Sequence, residues 1–447
     1  MKHAIKSAPA AFLLSFLLRD VMKNVPVIVL LLLPTLAFPR GGPMDRIAEA
    51  YVKLVLAVGQ HDPDYVDAYY GPSAWREATE KEKRPLETIL SEAQSLVAEL
   101  QTMQNPADEM LSLRREYLSH QLSSLAARVE MLQGKRFTFD EESRLLYDAV
   151  APTYSADHFK TILKKLDPLL PGNGSLQQRH EEFRKRFVIP KEKLDTVFKA
   201  AIAECRRRTR EHINLPKGES FTVEFVTNKP WGGYNWYKGN DRSVIQVNTD
   251  LPSYIDRAID LAAHEGYPGH HVYNSLLEDQ MVKKRGWVEF TVYPLFSPQS
   301  LIAEGSANYG VHVVMTGAEK TRFERSVLFP LARLDTGQTE TYNKVTRLVQ
   351  ELSYAGNEAA RGYLDGTMSR DSAAKWLEEY ELMTPERAQK RLDFVHRYRS
   401  YVINYNLGED LVRKYIESRA HTPEQRWKEF EKLLSSPRLP SGLISGK

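Results

Sequence analysis

From residue 44 onward, apolar side chains recur every three or four positions over most of the chain. In MDRIAEAYVKLVLAVG, Ile47, Tyr51, Leu54 and Val58 fall on one face of a helix, and DEMLSLRREYLSHQLSSLAARVEML carries the same period further. Helix starts are also written into the chain: Thr384-Pro385 and Thr422-Pro423-Glu424-Gln425 each set a capping hydroxyl before a proline at the first helical position. One region departs from this period. SFTVEFVTNKPWGGYNWYKGNDRSVIQVNTD, residues 220–250, predicts two strands, 221–227 and 243–249, joined by an aromatic, Gly-rich loop. The expected fold is therefore mainly α, a large helical body with a small β-hairpin or sheet. PLLPGNGSLQQ, residues 168–178, predicts a loop between an N-terminal helical part (38–175) and a second helical part (176–447) of one continuous body.

The first 37 residues stand apart. From Met22 and Lys23 an apolar run, 25–33, leads to the small-residue site Thr35-Leu36-Ala37, the layout of a secretory signal peptide that is short for a membrane span. The expectation is a secreted or periplasmic protein, with an uncleaved N-terminal anchor as the alternative. Residues 1–21 fit an extension upstream of the true start.

Composition changes this picture little. Hydrophobic content of 42% and charged content of 27% are those of a globular protein rather than a disordered one. The leader holds Lys2, Lys6, Arg19 and Lys23 against Asp20, so the remaining chain keeps 57 of the 61 basic and 57 of the 58 acidic residues. A formally neutral body gives no reason to expect a nucleic-acid partner. The basic run Arg206, Arg207, Arg208 and Arg210 reads as a solvated helix face. Cys205 is the single cysteine, which excludes an internal disulfide or a Cys-ligated zinc, and it reads as structural.

The candidate chemistry lies in LAAHEGYPGHHVYN, residues 261–274, downstream of the β-element. Ile255, Ile259, Ala262 and Ala263 form the apolar stripe of a helix that leads into it. On a straight helix the position one turn after His264 is Pro268, which cannot bind a metal, and His271 returns to the same face about 10.5 Å further along the axis. Pro268 opens the hydrogen-bond ladder, and a bulge that takes up two residues brings His270 to the place of a ligand one turn on. Glu304, in SLIAEGSANYGVHVV, supplies a third ligand, and Asn308, one turn later, an acceptor for a ligating imidazole. The expected metal set is His264, His270 and Glu304 around zinc, with His271 as the alternative ligand and Glu265 as general base. Tyr401, Tyr405, Arg397 and Arg399 are candidate oxyanion donors by chemistry alone. Spacing leaves a second reading open, a helix end whose Pro-Gly turn collects histidines without a metal.

At these residues the chain resembles a bacterial family of uncharacterised proteins with the signature His-Glu-x-x-Pro-Gly-His followed by Glu-Gly-Trp-Ala-x-Tyr, a family grouped with the gluzincin, thermolysin-like metallopeptidases. His264, Glu265, Pro268, Gly269 and His270 match the first segment, and Glu304, Gly305, Ala307 and Tyr309 the second. Ser306 replaces the usual Trp, and Val311 stands where an acidic residue is common. The resemblance extends to YVKLVLAVGQHDPDYVDAYYGP and SYVINYNLGEDL. It implies a helical, zinc-dependent peptidase, and a strand, SVIQVNTD, that binds extended substrate by strand addition. Trp231, Tyr234 and Trp236 then form a pocket wall or, alternatively, cover the core. The functions carried forward are a zinc metallohydrolase acting on short peptides, a catalytically silent helical binding protein with a structural metal, and a zinc hydrolase of a non-peptide amide or ester.

Overall fold

A computed structural model describes residues 41–445, apart from Pro230 and Leu251. The predicted leader lies outside the described residues. Helices dominate, and they begin where the sequence places their caps. The helix Glu109–Leu132 is capped by Asp108, whose Oδ1 accepts from Leu111 N–H at 2.8 Å. Thr422 and Gln425 form a reciprocal capping box at the start of Pro423–Leu434. Thr384 caps Pro385–Tyr398, with its proline at the first helical position.

The residues on either side of position 175 share their cores. Phe159, Ile162 and Leu166 pack in one cluster with Val197, Phe198 and Phe329, while Ile47, Leu54 and Leu118 pack in another with Leu301, Tyr401 and Leu407. The segment 168–178 is a surface connection, and Ser175 caps the helix that follows it.

Among the described residues, five short strands form two sheets. β1 (Val66–Tyr69) pairs antiparallel with β5 (Val292–Pro294), joining segments more than 220 residues apart. β2 (Ser220–Val226), β3 (Gly233–Gly239) and β4 (Arg242–Asn248) form the second sheet in the order β2-β4-β3, with β2 parallel and β3 antiparallel to β4. The aromatic segment predicted as a loop is thus mostly strand. Its side chains alternate, and Asn240-Asp241, both with positive φ, supply the tight turn into β4. SVIQVNTD also differs from expectation. β4 is the central strand, paired along both edges, so it has no free hydrogen-bonding edge for a substrate strand.

Two helices bring Glu304 and Tyr405 to the site. Pro298–Val314 and Ile403–Glu417 cross so closely that a Cβ on Gly305 would lie 2.3 Å from the Gly408 carbonyl carbon, and one on Gly408 2.7 Å from the Leu301 oxygen. Both contacts are with backbone, which cannot rotate away. Gly305→Ala is therefore expected to lower the unfolding free energy by about 1–3 kcal/mol, as overpacked cores do, measured by urea denaturation. An unchanged midpoint would contradict the close approach.

Candidate metal centre and its cleft

The helix Asp256–Leu261 enters the site with Ile255 and Ile259 fully buried, and its regular ladder ends there. Residues Ala262–Gly266 form a π-turn: Tyr267 N–H donates to Ala262 O at 2.9 Å and Gly269 N–H to Ala263 O at 2.8 Å, reaching back five and six residues instead of four. A new helix, His270–Leu277, starts at once. Gly269 is required at the junction, because a Cβ there would lie 1.9 Å from His264 O. The extra residues bring His270 Nε2 to 3.1 Å from His264 Nε2.

Glu304 arrives from the helix Pro298–Val314. Its Oε2 lies 3.4 Å from His264 Nε2 and 3.7 Å from His270 Nε2. The point equidistant from these three atoms is about 2.0 Å from each, the length of a zinc bond to nitrogen or carboxylate oxygen. Glu304 is 8% exposed and its Oε2 has no hydrogen-bond partner, so a buried lone pair faces the same point as two imidazole nitrogens. The donor set therefore fits a divalent cation. Burial would raise the Glu304 carboxyl, but the nearby His264 and His270 outweigh it and hold the group well below the usual carboxylate range. Burial likewise acts to lower His270, and Glu304 and Glu265 reverse it, so the imidazole is raised.

Neighbouring groups fix these donors. Asn308 Nδ2 donates to Tyr405 O at 2.9 Å, which turns its Oδ1 towards His264 Nδ1 at 2.8 Å. His264 Nδ1 thus carries the proton and Nε2 presents its lone pair to the cluster. Tyr401 O–H donates to Glu304 Oε1 at 2.8 Å. That bond makes Tyr401 an orienting group for the carboxylate rather than a free oxyanion donor. Tyr405 lines the cleft beside it, its hydroxyl kept neutral by burial and by Glu304. Glu265, 5% exposed, groups with His264 and His270, their ligand atoms all within 4.8 Å, and Asn235 Nδ2 donates to its backbone oxygen at 2.6 Å.

Three sequence candidates lie elsewhere. His271, 1% exposed, points to the opposite side of its helix, with Nδ1 2.9 Å from Ser243 Oγ and Nε2 3.1 Å from Glu219 Oε2. The helix after the π-turn starts at His270, and His271, the next residue, lies about 100° round its axis, so only His270 faces the cluster. Arg399 is turned away to Glu142, its Nε 2.5 Å from Oε2, and cannot serve an oxyanion. Arg397 borders the cleft but its Nε and Nη2 are committed to Asp64, at 2.7 and 2.6 Å.

Glu219 was not indicated by any motif. It accepts from Tyr267 O–H at 2.5 Å, from His271 and from Arg206 at 2.6 Å, so it clamps the outside of the Pro268-Gly269 turn to the helix Leu194–His212. Two more residues of the basic run are paired as well, Arg207 with Glu204 and Glu211 and Arg208 with Glu204 and Glu319. Burial pushes the neighbouring Cys205 thiol up to about 12, which fits a structural residue. Asp67, on β1, lies in the stretch YVKLVLAVGQHDPDYVDAYYGP that carries the resemblance, which gave it no role; the pairing of β1 with β5 brings it to the cleft.

The cleft has a volume of about 1720 Å³ and is lined by His264, Glu265, Glu304, Tyr405, Asp67 and the aromatic face of β3. Trp231 and Tyr234 stack at 5.5 Å and Tyr234 and Trp236 meet at 4.6 Å, so these rings form a wall of the cleft rather than a cover for the core. Val311 lines it too, whereas Ser306 is fully buried and bonded to Ala303 O.

No family model and no curated protein matches this chain. Among solved structures, the fold is similar to a "putative lipoprotein" from Colwellia psychrerythraea, 13% identical, covering 90% of this chain and 89% of that chain, with a TM-score of 0.53. A "putative lipoprotein of unknown function" from Shewanella oneidensis (11% identical, 83% and 75% covered, TM-score 0.45) and BsuCP (11%, 88% and 87%, 0.45) are more distant in shape. At these identities the first match shows a shared mainly α fold, and the two lower scores support no inference. Among the described residues, no helix is long and apolar enough to cross a membrane.

The Glu219 clamp has a pH signature. Burial raises this carboxyl, and hydrogen bonds from His271, Tyr267 and Arg206 overcome that, leaving it at about 2. Its folded value lies below its unfolded one, so its stabilisation is complete above about pH 4.3 and is lost as pH falls towards 2. Glu219→Gln should lower the unfolding free energy by roughly 2–3 kcal/mol at pH 7. The gap to wild type should narrow at pH 3, as followed by urea unfolding at both values; a gap independent of pH would refute the ionic clamp.

Proposed function

We propose that the protein is a zinc-dependent hydrolase that cleaves peptide bonds, acting on short peptides from a site held by His264, His270 and Glu304. The observation that carries this reading is the convergence of two imidazole nitrogens and an unpartnered buried carboxylate oxygen, with Glu265 beside them. Zinc in such a set supplies Lewis acidity to a carbonyl and makes water acidic enough to deliver hydroxide near neutral pH. Glu265 takes the proton of the attacking water and returns it to the leaving amine. Its backbone is anchored by Asn235, so its carboxylate stays aimed at the cluster. Tyr401 and Asn308 hold Glu304 and His264 in orientation, and the Tyr405 hydroxyl is the donor placed to meet a developing oxyanion. The aromatic face of β3, the edge strand of its sheet, offers substrate side chains a wall. The signal-like leader and the fold shared with the Colwellia protein support an extracytoplasmic location.

Glu265→Gln should retain bound zinc, measured by plasma mass spectrometry, and lose peptide turnover by about 10²- to 10⁴-fold, measured on a peptide library. Zinc without turnover in the wild type would instead support a silent binding protein, and turnover restricted to esters or non-peptide amides the third function. His270→Ala should abolish zinc binding while His271→Ala leaves the stoichiometry intact. Equal zinc loss in both variants would remove the assigned ligand set.

A further inference from the structure

Among the described residues, one of the carboxylates of the cleft, that of Asp67, forms no ion pair. Asp67 projects from β1 into the cleft, and its one hydrogen-bonding partner among the described residues is the Tyr234 hydroxyl. Asp64, three residues earlier, shows the contrast: Arg397 binds it through two nitrogens. Burial first, then the charges of Glu304 and Glu265, push the Asp67 carboxyl up to about 7. Geometry places it beside the cluster: its partner Tyr234 stands between Gly233, on which a Cβ would lie 3.1 Å from Glu265 Oε1, and Asn235, which donates to Glu265 O.

The cleft lining as a whole carries as many basic as acidic side chains, but the charges that act on Asp67 are those of Glu304 and Glu265, and this local balance points to a ligand. A divalent cation held by His264, His270 and Glu304 offsets Glu304 and one further negative charge, that of Glu265. Asp67 is left over in a partly desolvated place, where an uncompensated charge is costly and a paired one is favourable. Its partner Tyr234 sits in the aromatic row with Trp231 and Trp236, whose faces also attract cations.

We propose that Asp67 anchors a primary ammonium group of the substrate, so that the cleft takes peptides by their free amino terminus and works as an amino-end exopeptidase. This rests on the hydrolase reading above for the chemistry, but not for the binding. An ammonium at Asp67 places the first peptide bond of the substrate towards Glu265 and the imidazoles. A lysine side chain offers the same chemical group, so the test must separate the two sources.

Asp67→Asn keeps the size and an acceptor for Tyr234 while removing the charge. Binding of leucinamide, N-acetyl-leucinamide and Nα-acetyl-lysinamide is measured by calorimetry on the zinc-loaded Glu265→Gln protein with and without Asp67→Asn, so that no ligand is turned over, with zinc content checked in both. Leucinamide should bind at least about tenfold more tightly than its acetylated form, and Asp67→Asn should weaken leucinamide by on the order of 10- to 100-fold while leaving the acetylated ligand and the zinc content unchanged. In peptide cleavage the variant should show the loss mainly in KM and should no longer prefer unblocked peptides. Equal binding of free and acetylated leucinamide, or no change in Asp67→Asn, overturns the proposal. Tight Nα-acetyl-lysinamide with weak leucinamide overturns the amino-terminal assignment in favour of a lysine subsite. A preference for the free amine without any peptide turnover upholds Asp67 and rejects the hydrolase reading instead.

Discussion

Two backbone hydrogen bonds, from Tyr267 to Ala262 and from Gly269 to Ala263, set the position of everything else in the cleft. They are longer loops than a helix normally closes, and they exist because the proline at 268 cannot donate and the glycine at 269 leaves room for the His264 carbonyl. With a regular ladder, His264 and His270 would face different sides. The opened turn brings their nitrogens together and at the same stroke turns His271 outward to Glu219, so one local deformation both assembles the cluster and creates the buried pair that fastens it.

Around that turn the fold supplies rigidity by close contact rather than by bulk. The Gly305–Gly408 crossing lets two helices touch backbone to backbone, and it lies next to the residues that matter: Glu304 precedes one glycine, while Tyr401 and Tyr405 sit a turn or two before the other. The carboxylate and the hydroxyl that orients it are thereby fixed by main-chain geometry instead of by long side chains. On the other flank, the three-stranded sheet packs its aromatic edge strand against the cleft and braces Glu265 through Asn235.

Local patterns made much of this legible. Helix periods and caps at Asp108, Thr384 and Thr422 predict a mainly α body, and the incompatibility of Pro268 with a regular helix predicts the bulge between the two imidazoles. What stayed hidden depended on long-range pairing. β3 reads as a loop because its glycines and aromatics look like a turn until β4 offers it a partner. β4 then reads as one of only two strands, with an edge free for substrate, until β3 is seen on that side. Arg399 has the right chemistry for the cleft, but Glu142, more than 250 residues earlier in the chain, claims it. Glu219 carries no local signature, and Asp67 stands in a stretch that shares the resemblance without being marked out in it, since what distinguishes each is a set of neighbours from remote segments.

The cluster and its orienting groups draw on residues from 264 to 405, and the wall opposite on β1 near residue 67. A chain that emerges from the ribosome amino end first cannot close this arrangement until nearly all of it has been made. Partial chains therefore lack the assembled centre, and the protein's capacity to act on its surroundings switches on only with completion of its own tertiary structure.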